Sequence, residues 1–192
     1  TMHRIYDGLG RLEHSFGAED QETTYTYDGN GNQKTVLDPL LRLTEYDYDE
    51  LDRLEKTTDP DRNEIEFSYD AQDNLRTVID ARGVTTSYDY TGFDELETLT
   101  SPDTGVTGYT YDPAGNLATR TDARGVLATY GYDGNQRLRS IAYPVFNGQP
   151  AETLAFDYDD VTDGNSGKGR LTGISDGSGA TTFKYDLHGR VT

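Results

Sequence analysis

Tyrosine returns at one fixed spacing, at Tyr6, Tyr27, Tyr48, Tyr69, Tyr90, Tyr111 and Tyr132, always 21 residues apart. A second aromatic stands two residues earlier in most copies, at Tyr25, Tyr46, Phe67, Tyr88, Tyr109 and Tyr130. A chain with such a period is an array, so its architecture is that of one unit repeated. Each unit buries little alone and depends on its neighbours.

The repeat reads as two strands and two turns. Thr107, Tyr109 and Tyr111 alternate with Gly108 and Thr110. This period of two in β-branched and aromatic residues marks a strand. Asp112-Pro113-Ala114-Gly115 carries the preferences of a type I turn. Its last residue is expected in the left-handed conformation, which makes a bulged hairpin. A second strand over Leu117–Thr121 runs into another turn at Asp122-Ala123-Arg124-Gly125. No space is left for a helix.

The first turn recurs at Asp7, Asp28, Asp49, Asp70 and Asp186, the second at Asp38, Asp59, Asp80, Ser101 and Asp176. Where the turn glycine is missing, Asp52, Asp73 and Asp94 replace it, and Asp tolerates positive φ better than most residues. Gln136 is the departure and is expected to carry strain. Most of the aspartates are therefore read as turn caps, their side chains bonding to nearby backbone. Along each strand the faces sort. Ile65, Phe67 and Tyr69 oppose Glu64, Glu66 and Ser68, and a Leu follows the first turn at Leu12, Leu54, Leu75, Leu96, Leu117, Leu138 and Leu171.

The fold class is thus all-β, an antiparallel meander of about sixteen strands. At ~4.8 Å per strand, a flat sheet of that size is about 75 Å wide. Twisted open sheets of more than about ten strands curl or split, so the meander is expected to wind into a curved wall. Such a wall is one sheet thick, and its apolar face must be covered by the next winding, by a neighbouring part of a parent protein, or by an enclosed content. The rhythm breaks after Tyr132, where the next counterparts are Tyr158 and Tyr185. The extra residues fall in Tyr143–Pro150 and Asp159–Gly169, and read as lengthened loops on an intact sheet.

Composition excludes several functions. The net charge is −18, which makes nucleic acid a poor partner. Cysteine is absent, so there is neither a disulfide framework nor a thiolate metal site. No apolar run approaches the ~18 residues of a membrane span. Low apolar content with high net charge ordinarily signals disorder. Here the 15 tyrosines and the strict period argue for a sheet held by amphipathic rings. No signal peptide is visible, and the chain opens and closes inside a repeat. The expected organisation is one array over residues 1–192 of about nine repeats, irregular at 139–170, cut from a longer protein.

Tyr109-Thr110-Tyr111-Asp112-Pro113-Ala114-Gly115-Asn116-Leu117, Tyr6-Asp7-Gly8-Leu9-Gly10-Arg11-Leu12 and Tyr185-Asp186-Leu187-His188-Gly189-Arg190-Val191 resemble the YD repeat of RHS proteins. The resemblance covers nearly the whole chain. The family includes bacterial polymorphic toxins, the C components of insecticidal toxin complexes, and teneurins. It implies a β-sheet spiral forming a hollow shell that encloses a C-terminal toxin, secreted or at the cell surface. The absence of cysteine places the chain nearer the bacterial branch. Two features of the family are missing: the end of the repeat core with its Asp-Pro-x-Gly self-cleavage site, and a variable toxin domain. Asp112-Pro113-Ala114-Gly115 is similar to the cleavage motif but stands in register as an ordinary turn.

Chemistry is sparse. Asp28-Gly29-Asn30-Gly31-Asn32 opens like a calcium loop, yet Gln33 stands where that loop needs glycine and Pro39 where it needs glutamate. Asp157, Asp159, Asp160 and Asp163 form the densest carboxylate cluster and are the candidate for a weakly held cation; the bland reading is a solvated acidic loop. His3, His14 and His188 are scattered, and no Ser, His and Asp spacing suggests a triad. Tyr88, Tyr109 and Tyr130 could stack on sugar rings, which gives the alternative of a carbohydrate-binding or adhesive module; cross-strand pairing is the structural counterpart. Arg11, Arg53, Arg137, Arg170 and Arg190 are expected to pair with turn aspartates or lie over tyrosine rings. The expectation is a non-catalytic scaffold without cofactor. Its partners would be the rest of a parent RHS protein, an enclosed toxin and, on the alternative, glycans, with no nucleic acid and no membrane span.

Overall fold

The computed structural model describes residues 3–19 and 21–192. It is all-β, with 17 strands among the described residues, and a single 3-10 turn at Thr162–Gly164. The chain divides into two compact units, Thr1–Tyr88 and Asp89–Thr192. The first unit holds β1 (His3–Tyr6), β2 (Leu12–Phe16), β3 (Glu22–Tyr27), β4 (Gln33–Leu37), β5 (Leu43–Tyr48), β6 (Leu54–Thr58), β7 (Glu64–Tyr69) and β8 (Leu75–Ile79). The strand β9 (Thr85–Tyr90) carries the chain across the division. The second unit holds β10 (Leu96–Ser101), β11 (Gly105–Tyr111), β12 (Leu117–Thr121), β13 (Leu127–Tyr132), β14 (Leu138–Tyr143), β15 (Glu152–Tyr158), β16 (Leu171–Asp176) and β17 (Gly179–Thr182).

Within each unit the strands pair antiparallel with their chain neighbours, as a meander of tight hairpins requires. The two kinds of hairpin differ. Those closed by the first turn have four rungs and a bulge beside the terminal tyrosine, as where Thr26 faces Thr35 but Tyr27 faces Gln33. The same shift falls at Tyr6, Tyr48, Tyr69, Tyr111, Tyr132 and Tyr158. Hairpins closed by the second turn show no bulge, and in the regular repeats their three or, for β10 with β11, four rungs lie near that turn, as from Leu37 facing Leu43 to Thr35 facing Glu45. Strands joined by a second turn therefore part company toward the first-turn edge. The bulges add local twist in the same place.

Both turns have one construction. Asp7 N–H donates to the Arg11 carbonyl and Gly10 N–H to the Asp7 carbonyl; Asp38 and Asp80 repeat the scheme in second turns. The expected left-handed residues are there: Gly10, Gly31, Gly115 and Gly189, with Asp52, Asp73, Asp94 and Gln136 in place of glycine, Gln136 at φ 61°. Five further non-glycine residues lie outside that expectation: Leu41 at φ 60° and Arg62 at φ 68° in second turns, and Asn147, Asp159 and Asp163 in the lengthened loops. Both long loops close with backbone hydrogen bonds. Asp159 N–H still donates to the Arg170 carbonyl across the insertion, closing the hairpin as an ordinary turn does. In the other, Phe146 and Gln149 exchange backbone hydrogen bonds around Asn147-Gly148, making a small extra hairpin.

There is almost no core. Ala128, 3% exposed, is the one buried hydrophobic residue among those described, and no large side chain is fully enclosed. Aromatic residues of the strands pair across the sheet with aliphatic ones: Tyr25 faces Val36, Phe67 faces Val78 and Tyr130 faces Ile141. Such pairs contribute ~0.2–1 kcal/mol each. On the polar face, hydroxyl pairs repeat the theme at 2.6 Å, Thr26 with Thr35, Ser68 with Thr77 and Thr110 with Thr119.

A leucine in the left-handed region costs roughly 1–2 kcal/mol in clash of Cβ with backbone. Leu41 is 79% exposed, so little packing offsets that cost. Leu41→Gly should raise stability by about 0.5–1 kcal/mol, read as a higher urea midpoint at unchanged m-value.

Candidate functional site

The parting of strands at the first-turn edge leaves backbone carbonyls without a ladder partner. Leu12 has no facing residue in β3, whose pairing with β2 stops at His14 and Thr24. The Tyr27 hydroxyl, at the end of β3, donates to the Leu12 carbonyl at 2.8 Å, 15 residues back along the chain. The same bond runs from Tyr48 to Gln33 at 3.0 Å, Tyr69 to Leu54 at 2.9 Å, Tyr111 to Leu96 at 2.9 Å, and Tyr185 to Leu171 at 2.8 Å. The repeating tyrosine is thus a bolt between one hairpin and the next. Its acceptor is main chain, so Gln33 serves as well as leucine.

Around each bolt the turn builds a polar clamp. The Oδ1 of Asp49 accepts the N–H groups of Leu51 and Arg53, while Oδ2 accepts Arg53 Nε at 2.8 Å. Arg53 then lies 4.8 Å over the Tyr69 ring and reaches Asp73, the left-handed residue of the following turn, at 2.6 Å. Arg11 sits on Asp7 and 4.6 Å over Tyr27, and Arg137 on Asp133 and 4.4 Å over Tyr158, with a second contact to Asp159 at 2.6 Å. Arg170 lies 5.4 Å over Tyr185 but bonds to the Ser166 carbonyl, and Arg190 pairs with Asp186. Where asparagine replaces arginine the reach is kept: Asn30 and Asn32 both donate to Asp52 at 2.7 Å. Aspartate in place of the turn glycine is therefore also an acceptor for the preceding repeat.

These bonds set the acidity of the turn carboxyls. Backbone N–H from Arg11, then its side chain, hold Asp7 below the ordinary carboxylate range. The Arg53 side chain does the same for Asp49, and the Arg137 side chain with Gly169 N–H pulls Asp159 down to about 2. Asp38, Asp59, Asp112, Asp122 and Asp176 are lowered by their own turn hydrogen bonds. Burial raises the hydroxyls of Tyr48, Tyr111 and Tyr132.

The carboxylate cluster proposed from sequence is not assembled as a metal site among the described residues. Asp157, Asp159, Asp160 and Asp163 do not converge, and no group of three or more His, Asp or Glu residues among those described is set to hold a metal ion. Asp157 faces Arg139 at 3.4 Å, Asp159 holds Arg137, and Asp160 accepts from Thr162. Inside that loop Asn165, 5% exposed, is fully used: its Nδ2 donates to the Phe183 carbonyl and its Oδ1 accepts Tyr185 N–H. Sequence reasoning did not single out this wedge, since one asparagine in a polar loop gives no signal. Tyr88 lies in the first unit, Tyr109 and Tyr130 in the second, all three half-buried. Tyr109 faces Arg120 across the sheet.

Comparison with known proteins follows the same lines. The Teneurin YD-shell family profile matches residues 1–162. The chain belongs to that family, a class of structural shell domains built from YD repeats. Comparison with curated protein sequences finds no match. Among solved structures, the crystal structure of TcdB2-TccC3-Cdc42 is similar over 98% of this chain and 13% of that one, at 16% identity and a TM-score of 0.68. The Photorhabdus luminescens Tc holotoxin pore matches 92% of this chain and 10% of that one, at 20% identity and a TM-score of 0.64. At these identities the likeness is one of fold, and the chain spans a small part of the proteins it resembles.

Two outcomes follow from the bolts and clamps. Tyr69→Phe keeps the ring and removes the donor, leaving the Leu54 carbonyl without it; stability should fall by about 1 kcal/mol, measured by urea denaturation. The depressed turn carboxyls stabilise the fold fully above their unfolded value near 3.8. That contribution is lost as pH falls through their folded values, down to about 2 for Asp159. Melting temperature should therefore hold above about pH 5 and decline between about pH 4 and 2.

Proposed function

We propose that this chain is a stretch of wall in an RHS-type shell that encloses or presents a toxin or effector, and that it catalyses nothing itself. One observation carries the reading: recurrent polar side chains at the first-turn edge join one repeat to the next, five of them tyrosine hydroxyls bonded to a backbone carbonyl of the preceding hairpin. Tyrosine hydroxyls bond to backbone, turn aspartates bond to their own turns, and arginines bridge consecutive turns. A surface that uses its recurrent geometry for cohesion supports the reading of a container wall over that of an active site. The near absence of a sealed core supports the same reading, because an isolated one-sheet array leaves an apolar face for other parts of a parent protein or its content to cover. The titles of the similar structures name toxin complexes, which supplies the kind of assembly such a wall belongs to. On this reading the parent is secreted or surface-delivered.

The test uses the parent protein. Limited proteolysis should leave a C-terminal segment protected in the intact parent. Combining Tyr27→Phe, Tyr69→Phe and Tyr111→Phe should make that segment digestible at denaturant concentrations the unaltered parent withstands. Equal susceptibility of every segment in the unaltered parent would overturn enclosure. Saturable binding on an oligosaccharide array, lost in Tyr109→Ala or Tyr130→Ala with the β circular dichroism spectrum retained, would favour the adhesive alternative.

A further inference from the structure

One repeat breaks the clamp. Its first turn reads Thr91-Gly92-Phe93-Asp94-Glu95, with threonine where the turn aspartate stands and glutamate where arginine or asparagine stands. Thr91 Oγ1 still accepts Phe93 and Glu95 N–H, at 3.2 and 3.3 Å, so the turn is kept. The arm that follows it has the opposite charge. In the first repeat an Arg11 guanidinium nitrogen lies 3.8 Å from where a Cβ on Gly31 would stand; here Glu95 Oε1 lies 3.6 Å from the same point on Gly115. A carboxylate thus occupies the slot that elsewhere holds a guanidinium.

The surroundings are those of a cation site. The ring of Tyr111 is bolted in place by its bond to the Leu96 carbonyl, as Tyr27 and Tyr69 are, but no arginine lies over it among the described residues. Tyr111, Phe93, Pro113, Glu95, Glu97 and Asp112 line an open groove of about 590 Å3. Phe93 is 88% exposed at its mouth. Among the described residues neither Glu95 nor Glu97 forms an ion pair with a lysine or arginine, while Glu95 Oε2 accepts from Thr91 Oγ1 at 3.3 Å, and the protein carries a net charge of −18. Aromatic floor, acidic wall and no resident cation match a guanidinium in size, charge and stacking preference better than an ammonium, which lacks the planar fork.

We propose that the groove between the Thr91–Glu95 and Asp112–Asn116 turns binds an arginine side chain of a basic partner segment, which takes the place over Tyr111 that the chain's own arginines take over Tyr27, Tyr69 and Tyr158. The partner's guanidinium stacks on the ring and bonds to Glu95, with Glu97 adding charge and Phe93 covering its aliphatic stem. This inference stands apart from the shell reading: a wall segment or an adhesive module could carry the same groove.

The experiment is a titration of the isotopically labelled chain with N-acetyl-arginine amide, followed by amide chemical shifts, with N-acetyl-citrulline amide as the neutral comparison. Saturable shifts confined to Phe93, Glu95, Tyr111 and Gly115 are expected for arginine and not for citrulline. Glu95→Gln should weaken binding about three- to tenfold. Glu95→Arg fills the slot from within, and should abolish binding while raising the melting temperature. Unchanged affinity in Glu95→Gln, or equal shifts at every acidic turn, would overturn the proposal. A β circular dichroism spectrum matching the unaltered chain shows that each variant is folded, and Glu97→Gln serves as a second, exposed variant should Glu95 variants fail to fold.

Discussion

The hydrogen bond from a tyrosine hydroxyl to a backbone carbonyl of the preceding hairpin is the interaction on which this array depends. A meander of short hairpins alternates bulged and unbulged pairs, and its strands diverge on one side. Divergence leaves carbonyls unpaired, and an unpaired carbonyl away from water costs about as much as a lost hydrogen bond. Tyrosine answers both needs with one side chain, since its ring fills the gap and its hydroxyl supplies the donor. The same bond recurs in both units, at Tyr27, Tyr48 and Tyr69 and again at Tyr111 and Tyr185.

The turn clamp follows from the bolt. A tyrosine ring fixed by its hydroxyl presents a constant face, and a guanidinium four residues after the turn aspartate can lie over it. The aspartate then does two things: one oxygen organises its own turn and the other orients the arginine. Individually such exposed pairs contribute little. Repetition changes that, because Arg53, Arg137 and Asn32 also reach a left-handed residue of the next turn. Cohesion is thereby spread along the edge, as expected of an array whose units interact with nearest neighbours.

Much of this was legible in the sequence, and what escaped did so for identifiable reasons. Strands, turns, the bulged hairpins and the left-handed Asp52, Asp73, Asp94 and Gln136 all follow from residue preferences in a fixed period. The arginine partners were readable from charge and spacing. The tyrosine bolt was not, although the 15-residue interval from Leu12 to Tyr27 is plainly repeated, because a backbone acceptor has no residue identity to recognise. Leu41 and Arg62 escaped because neither residue type announces positive φ; the hairpin imposes it. About sixteen strands are expected from the turns, and the described residues form 17. Of the candidate sites, the aspartate cluster looked dense along the chain yet is divided among Arg137, Arg139 and Thr162 in space.

With a single enclosed apolar residue among those described and most strand aromatics half-buried, folding here removes less hydrocarbon from water than a packed core of the same length would. The heat-capacity increment of unfolding scales with that removal. Its dependence on temperature should accordingly be shallow, with stability peaking weakly and varying little between cold and warm surroundings. A wall fastened by hydroxyls and carboxylates instead of grease would keep much the same strength wherever it was carried.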